Sequence, residues 1–180
     1  QCEIKESFYR IRQNLESMAY GLYFAELLRA STPIEDKNRE LFRFFLKTLY
    51  LLQEWENKEV LARIYEVKLM AIQGFAPEVF SCVSCGQSPS SSIYFSPSMG
   101  GILCFNCHKT DENAVSISSE TLVAFQKMLM QTYEKLKNIN ISKYTREQLS
   151  NILSLFISHQ IDRKLKTVQF IKDIKRLNII

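Results

Sequence analysis

Two cysteine pairs, Cys82-Val-Ser-Cys85 and Cys104-Phe-Asn-Cys107, stand eighteen residues apart and constrain this chain more than anything else in it. A C-x2-C pair on a tight turn aims two thiolates at one cation, and a second pair closes the tetrahedron that Zn2+ accepts in structural sites. The spacing falls in the zinc-ribbon window. Gly86 follows the first pair, where a knuckle needs a residue tolerant of positive φ, and Gly100-Gly101 let the backbone turn back before the second. Four thiolates leave no position for water or substrate, whereas a catalytic zinc keeps one open. Cys82, Cys85, Cys104 and Cys107 are therefore the expected ligands of a structural Zn2+. So short a segment has no core of its own, and the metal supplies most of its folding free energy, on the order of 10 kcal/mol.

Three rival uses of these cysteines stand beside zinc. A redox C-x-x-C sits at a strand-to-helix junction of a thioredoxin-like βαβ unit, and no such unit surrounds either pair. Cys104-Phe-Asn-Cys107-His108 also fits the C-x-x-C-H pattern of haem attachment. The first pair would then have no purpose, and no signal peptide leads to the compartment where such haems are attached. Two disulfides are the third rival. They need a secretory context and leave over a fifth cysteine, Cys2, which is read as a free thiol. His108, beside the last ligand, is expected either to hydrogen-bond a thiolate or to be solvated.

Elsewhere the composition is that of an ordinary globular chain, 180 residues with 46% hydrophobic, enough for one core or two small ones. No run reaches the roughly 18 apolar residues of a membrane span, and the start shows no signal-peptide pattern. A cytoplasmic, reducing location without a membrane partner is expected. Residue 1 is Gln, so the chain reads as a fragment or processed product with a domain missing upstream. The formal charge of +4 conceals an asymmetry: residues 1–126 hold 12 Lys+Arg against 15 Asp+Glu, and residues 127–180 hold 11 against 4. A basic end is the electrostatic footprint of a phosphate backbone, since each neutralised phosphate releases condensed counterions. A lysine-rich solvated helix face has the same composition.

The apolar period is helical nearly throughout. From Ser7, read as an N-cap, the positions Phe8, Ile11, Leu15, Met18, Leu22 and Phe24 or Ala25 predict one helix to about Leu28. A second helix is expected from Arg39 to about Glu56, burying Leu41, Phe42, Phe45, Leu49 and Leu52, with Trp55 near its end; Phe44 and Tyr50 lie partly off that stripe, and the extra aromatics imply burial on two sides or, as the alternative, a partner groove. A third, from Lys58 to Gln73, buries Leu61, Ile64, Tyr65, Leu69 and Ile72 and stops at Gly74, with Pro77 beyond. In the zinc module, Ile93-Tyr94-Phe95 and Ile102-Leu103 are expected to form a short hairpin, and the serine-rich stretch from Ser88 a loop tip. A fourth helix spans roughly Ser119 to Asn138. A capping box, Thr145-x-x-Gln148, opens a fifth that runs to about Ile161, and an amphipathic stretch from Thr167 to Leu177 closes the chain. His159 reads as a capping or packing histidine. The expected architecture is all-α: a helical bundle of residues 1–79 and 111–180 with a small four-cysteine zinc finger of ribbon-like hairpins inserted at 80–110. No Gly-rich phosphate loop, nucleophile elbow, paired carboxylates or deaminase H-x-E appears, so no catalytic residue is expected and the chain is read as a non-enzyme.

Four stretches, in order, carry a resemblance: Glu6-Ser-Phe-Tyr-Arg-Ile-Arg12, Tyr65-Glu-Val-Lys-Leu-Met-Ala-Ile-Gln-Gly-Phe-Ala-Pro77, the four-cysteine module with Phe95-Ser96 and Gly100-Gly101-Ile-Leu-Cys104, and Ile157-Ser-His159 through Arg163-Lys-Leu-Lys166 to Phe170. Together they resemble the C-terminal part of the RecO family of bacterial recombination mediators. The resemblance implies a protein that binds single-stranded DNA, promotes strand annealing, and with RecR loads RecA onto DNA coated by single-stranded-DNA-binding protein. It also implies an N-terminal OB-fold absent from this sequence, whose basic groove and aromatics bind single strands. The family docks the acidic C-terminal tail of the single-stranded-DNA-binding protein on a helical surface, for which a patch around Phe42, Phe45 and Arg39 or Arg43 is the expectation here. Arg163, Lys164 and Lys166 are expected to contact DNA phosphates. The alternative function is a zinc-ribbon protein-interaction or RNA-binding module unrelated to recombination.

Overall fold

A computed structural model describes residues 3–33, 37–89, 92–161 and 163–177; Cys2 and part of the serine-rich loop tip lie outside them. The elements in order are α1 (Tyr9–Gln13), α2 (Leu15–Ser31), α3 (Arg39–Leu52), α4 (Lys58–Ile72), β1 (Ile93–Ser96), β2 (Gly101–Cys104), β3 (Val115–Ile117), α5 (Ser119–Met130), α6 (Tyr133–Leu136), α7 (Lys143–Gln160) and α8 (Lys166–Arg176). The protein is mainly helical with one small sheet, as its apolar period requires. It divides into two compact units, residues 1–62 with 164–180 and residues 63–163.

In the first unit the single helix expected from Ser7 is two. Asn14 adopts an extended conformation, and its side chain accepts the Ser17 N–H at 2.8 Å, so the chain restarts as α2 with a new N-cap. The restart rotates the inward stripe to Ala19, Tyr20, Tyr23, Phe24 and Leu27, and Leu22 is left 50% exposed. Ser7 does not cap α1: Phe8 holds that position at φ 47°, its N–H bonded to the Glu6 carboxylate. Asn38 caps α3 by accepting from the Leu41 N–H at 2.9 Å, and the helix ends at Leu52, short of Glu56. Its buried residues are Leu41, Thr48 and Leu52; Phe42, expected inside, is 62% exposed, and Tyr50 is 46% exposed. Trp55 is buried. α8 packs on α2 through Ile171 and Ile174. The Glu26 carboxylate of α2 accepts from the Lys166 N–H (3.0 Å), the Thr167 N–H (2.9 Å) and the Thr167 hydroxyl (2.5 Å), serving as the N-cap that α8 lacks in its own sequence.

The second unit takes the rest of α4, the sheet and α5 to α7. α4 ends in a Schellman turn: Gly74 at φ 85° donates to the Ala71 carbonyl and Phe75 to that of Met70. The fourth helix expected to reach Asn138 stops at Met130, because Gln131 turns extended and its carbonyl accepts from Lys68 Nζ at 2.6 Å; α6 follows as a separate turn. Ser142, not Thr145, caps α7. Gln148 is used elsewhere, accepting from the Ser118 N–H (3.0 Å) and the Thr121 hydroxyl (2.6 Å) and so tying α7 to the start of α5. The sheet has the order β2-β1-β3, antiparallel throughout, with Phe95 opposite Ile102 on one side and Val115 on the other. The expected hairpin is β1 and β2. Phe95 points into the core, with its ring centroid 5.6 Å from Phe125 and 6.0 Å from Phe156, which fastens the sheet to α5 and α7.

Candidate metal centre

Each cysteine pair is shaped by its own backbone. In the first knuckle Gly86 donates to the Cys82 carbonyl at 2.8 Å while the Cys82 N–H reaches the Gln87 carbonyl at 2.9 Å, a tight turn that Gly86 closes at φ 75°. In the second, β2 delivers Cys104, the Cys107 N–H returns to the Cys104 carbonyl at 3.1 Å, and a 3-10 turn follows over His108–Thr110. The two knuckles are stitched together by Val83 N–H to the Ile102 carbonyl and Ile102 N–H to the Glu78 carbonyl, both 2.9 Å. Gly101 permits this approach. A Cβ there would sit 2.4 Å from Val83 Cγ1 and 2.7 Å from the Glu78 carbonyl oxygen.

The result brings Cys82, Cys85, Cys104 and Cys107 together with their sulfurs all within 4.8 Å of one another, a group that can hold a metal ion. Cys82 is buried, Cys104 and Cys107 are half-buried, and Cys85 is exposed. Burial opposes ionisation of Cys82, but N–H groups of Cys104, Cys85 and Ser84 aimed at its sulfur outweigh it and hold the thiol down at about 6. Cys107 behaves oppositely. The Ser84 hydroxyl favours its thiolate, yet the neighbouring sulfurs of Cys104, Cys85 and Cys82 push it up to about 12. Cys82 thus ionises easily while Cys85 and Cys107 resist, as sulfurs crowded together do when each opposes the charge of the next. A divalent ion removes that conflict, and the donor set fits one.

Around the site, His108 neither bonds a sulfur through Nδ1 nor stands free in solvent. Its ring is half-buried, stacked 4.4 Å from Tyr94 and 5.5 Å from Phe105, and Nδ1 meets the Phe105 carbonyl. His159 is exposed in the last turn of α7. The Asp111 pKa is lowered chiefly by the Ser96 hydroxyl, with the charge of His159 assisting. Asp111 also accepts from Ser98 and from the Asn113 N–H, locking the loop after the second knuckle to β1. Arg163, Lys164 and Lys166 are all exposed, the first at the end of the second unit and the other two at the return into the first. The sequence reading missed Ser84 and the His108 ring stack. Their signals were a hydroxyl inside the first C-x2-C and two aromatic residues, one at 94 ahead of the second pair and one at 105 inside it.

A family model described as "Recombination protein O C terminal" matches residues 12–169. Among curated proteins, the DNA repair protein RecO of Alkaliphilus metalliredigens is 34% identical over 164 residues, which is 91% of this chain and 67% of that protein. The protein of the same name from Caldicellulosiruptor saccharolyticus is 33% identical over 94% of this chain and 69% of its own length. That of Acetivibrio thermocellus is 27% identical over 98% and 70% respectively. No helix among the described residues is long and apolar enough to cross a membrane. The family match from Arg12 to Gln169 spans the cysteine cluster and all but the ends of the helical framework, and the chain belongs to the RecO family of DNA repair proteins.

Proposed function

We propose that the chain is the helical and zinc-binding part of a recombination mediator. It binds single-stranded DNA and the acidic C-terminal tail of single-stranded-DNA-binding protein, promotes strand annealing and, with RecR, assists RecA loading, without catalysing a reaction. The observation that carries this reading is the family match over residues 12–169. Zn2+ is the proposed ion. A Zn–S bond of about 2.3 Å places tetrahedral sulfurs roughly 3.8 Å apart, and Cys85 and Cys104 stand at 3.8 Å. Residues 80–110 are proposed as an insertion into a bundle of 1–79 and 111–180, working in the reducing cytoplasm that keeps thiolates available.

For the acidic tail we propose the outward face of α3. Phe42 is exposed there, Phe45 and Leu49 are half-buried beside it, and Arg39 and Arg43 are exposed on the same helix. Cations flanking an apolar strip complement an acidic segment. Pull-down with the tail peptide tests this: the chain is expected to retain it, and Phe42→Ala with Arg43→Ala to release it. No retention by the unmodified chain favours a zinc-ribbon module of another kind. For DNA, changing Arg163, Lys164 and Lys166 together to Ala is expected to flatten the salt dependence of single-strand binding by a slope of about two. An unchanged slope leaves them as ordinary surface.

A further inference from the structure

We infer that the cysteine cluster is also an oxidation site: a peroxide attacks at Cys85 first, Cys104 then closes a disulfide with it, and the chain gives up its ion. The inference rests on the zinc reading above and adds a second state of the same four sulfurs. Those sulfurs differ in access. Cys85 is exposed, and its turn neighbours Ser84, Gly86 and Gln87 are exposed with it, so small solutes reach this residue. Cys82 is only 1% exposed, and its sulfur accepts the Cys104 N–H at 3.4 Å. Cys104 and Cys107 are half-buried. An oxidant therefore meets Cys85 ahead of the other three.

A resolving partner stands beside it. The Cys104 sulfur lies 3.8 Å from that of Cys85, so bond formation needs an approach of roughly 1.8 Å. The first knuckle has room to supply that movement, since a Cβ on Gly86 would meet nothing within 4 Å. Cys104 is held in place by its pairing with Ile93 in the β1–β2 ladder. With hydrogen peroxide the steps balance. The Cys85 thiolate attacks one peroxide oxygen, the O–O bond breaks, hydroxide leaves, and Cys85 becomes a sulfenic acid. The Cys104 thiolate then attacks the Cys85 sulfur, the S–O bond breaks, and a second hydroxide leaves. Each sulfur has lost one electron and each peroxide oxygen has gained one. Cys82 and Cys107 remain, and two ligands do not hold Zn2+ where four did. A thiol reductant restores both sulfurs by exchange.

The test uses the zinc-loaded chain carrying Cys2→Ser, which removes the fifth thiol. Hydrogen peroxide is added in steps, released zinc is read by the absorbance of its pyridylazo-resorcinol complex, and free thiols are then blocked with N-ethylmaleimide. Chymotrypsin cuts after Tyr94, Leu103 and Phe105, which separates Cys85, Cys104 and Cys107 for mass spectrometry, and fragmentation tells Cys82 from Cys85. The expected first linkage is Cys85 to Cys104, with one zinc lost per disulfide and both changes reversed by dithiothreitol with added zinc. Cys85→His keeps a zinc ligand but no sulfur, and is expected to lose no zinc at peroxide levels that empty the parent chain. Met130, 71% exposed, reports that the oxidant has acted. Zinc retained while Met130 is oxidised overturns the inference and leaves the zinc reading standing. A first linkage other than Cys85 to Cys104 does the same. A chain without zinc before peroxide is added overturns both. If Cys85→His takes up no zinc, the peptide map of the parent chain decides alone.

Discussion

At Gly101 a methyl group has nowhere to go: one neighbour is a branched side chain and the other a backbone carbonyl already accepting from Ile102. Gly101→Ala is therefore expected to cost about 1–3 kcal/mol through overpacking. Gly74→Ala meets no atom within 4 Å and carries only the strain of its φ of 85°, about 1–2 kcal/mol. The two are separable by thermal denaturation followed with elemental analysis. Gly101→Ala should lower metal content as well as the midpoint, and Gly74→Ala the midpoint alone. Cys85→Ser or Cys104→Ser should take bound zinc from one per chain towards none, and an unchanged stoichiometry would contradict the site. The cysteines were legible because their spacing alone fixes two turns aimed at one point. His108 was not, since stacking on Tyr94 depends on which β1 residue faces the second knuckle, and that is a matter of register.

Among the elements, α8 depends on a cap that its own sequence does not provide. Glu26→Ala removes three hydrogen bonds at its first turn and is expected to lower stability by about 1–2 kcal/mol, read as a fall in the urea midpoint. Burial raises the Glu26 pKa, but the bonds from Thr167 and Lys166 outweigh it and leave it below the ordinary 4.5. Glu78 is lowered in the same sense, chiefly by the Phe80 and Ser81 N–H groups. Groups with depressed folded pKa values contribute stability that is complete above 4.5 and is lost as pH falls through the folded value. The urea midpoint should therefore decline below pH 4.5, and less steeply in Glu26→Gln, where no charge is left to titrate. Helix existence was legible from the 3.6-residue period; the breaks at Asn14 and Gln131 were not. An apolar period survives a one-residue interruption almost unchanged, whereas the cap that causes it is one side chain choosing its backbone over solvent.

Taken whole, the protein separates its optical and metal reporters. The only tryptophan, Trp55, is buried in the first unit, and the cysteine cluster lies in the second. Removing the metal with a chelator is expected to accelerate hydrogen exchange across residues 82–107 and in β1 and β2 while Trp55 emission stays that of a buried indole. A red shift on chelation would show that the first unit depends on the metal. The family was legible because four local patterns occur in one order, which chance spacing of cysteines does not reproduce. The division into units was not, because nothing in a periodic pattern says that residues 164–180 return to pack with residues 1–62. That return has a consequence in time. Glu26 is synthesised 141 residues before Thr167, so at ribosomal speeds of 5–20 residues per second its partner arrives roughly 7 to 28 s later. Until then the α2 surface that α8 will cover stays open, and a nascent chain stalled before Lys166 should be the form that chaperones hold longest.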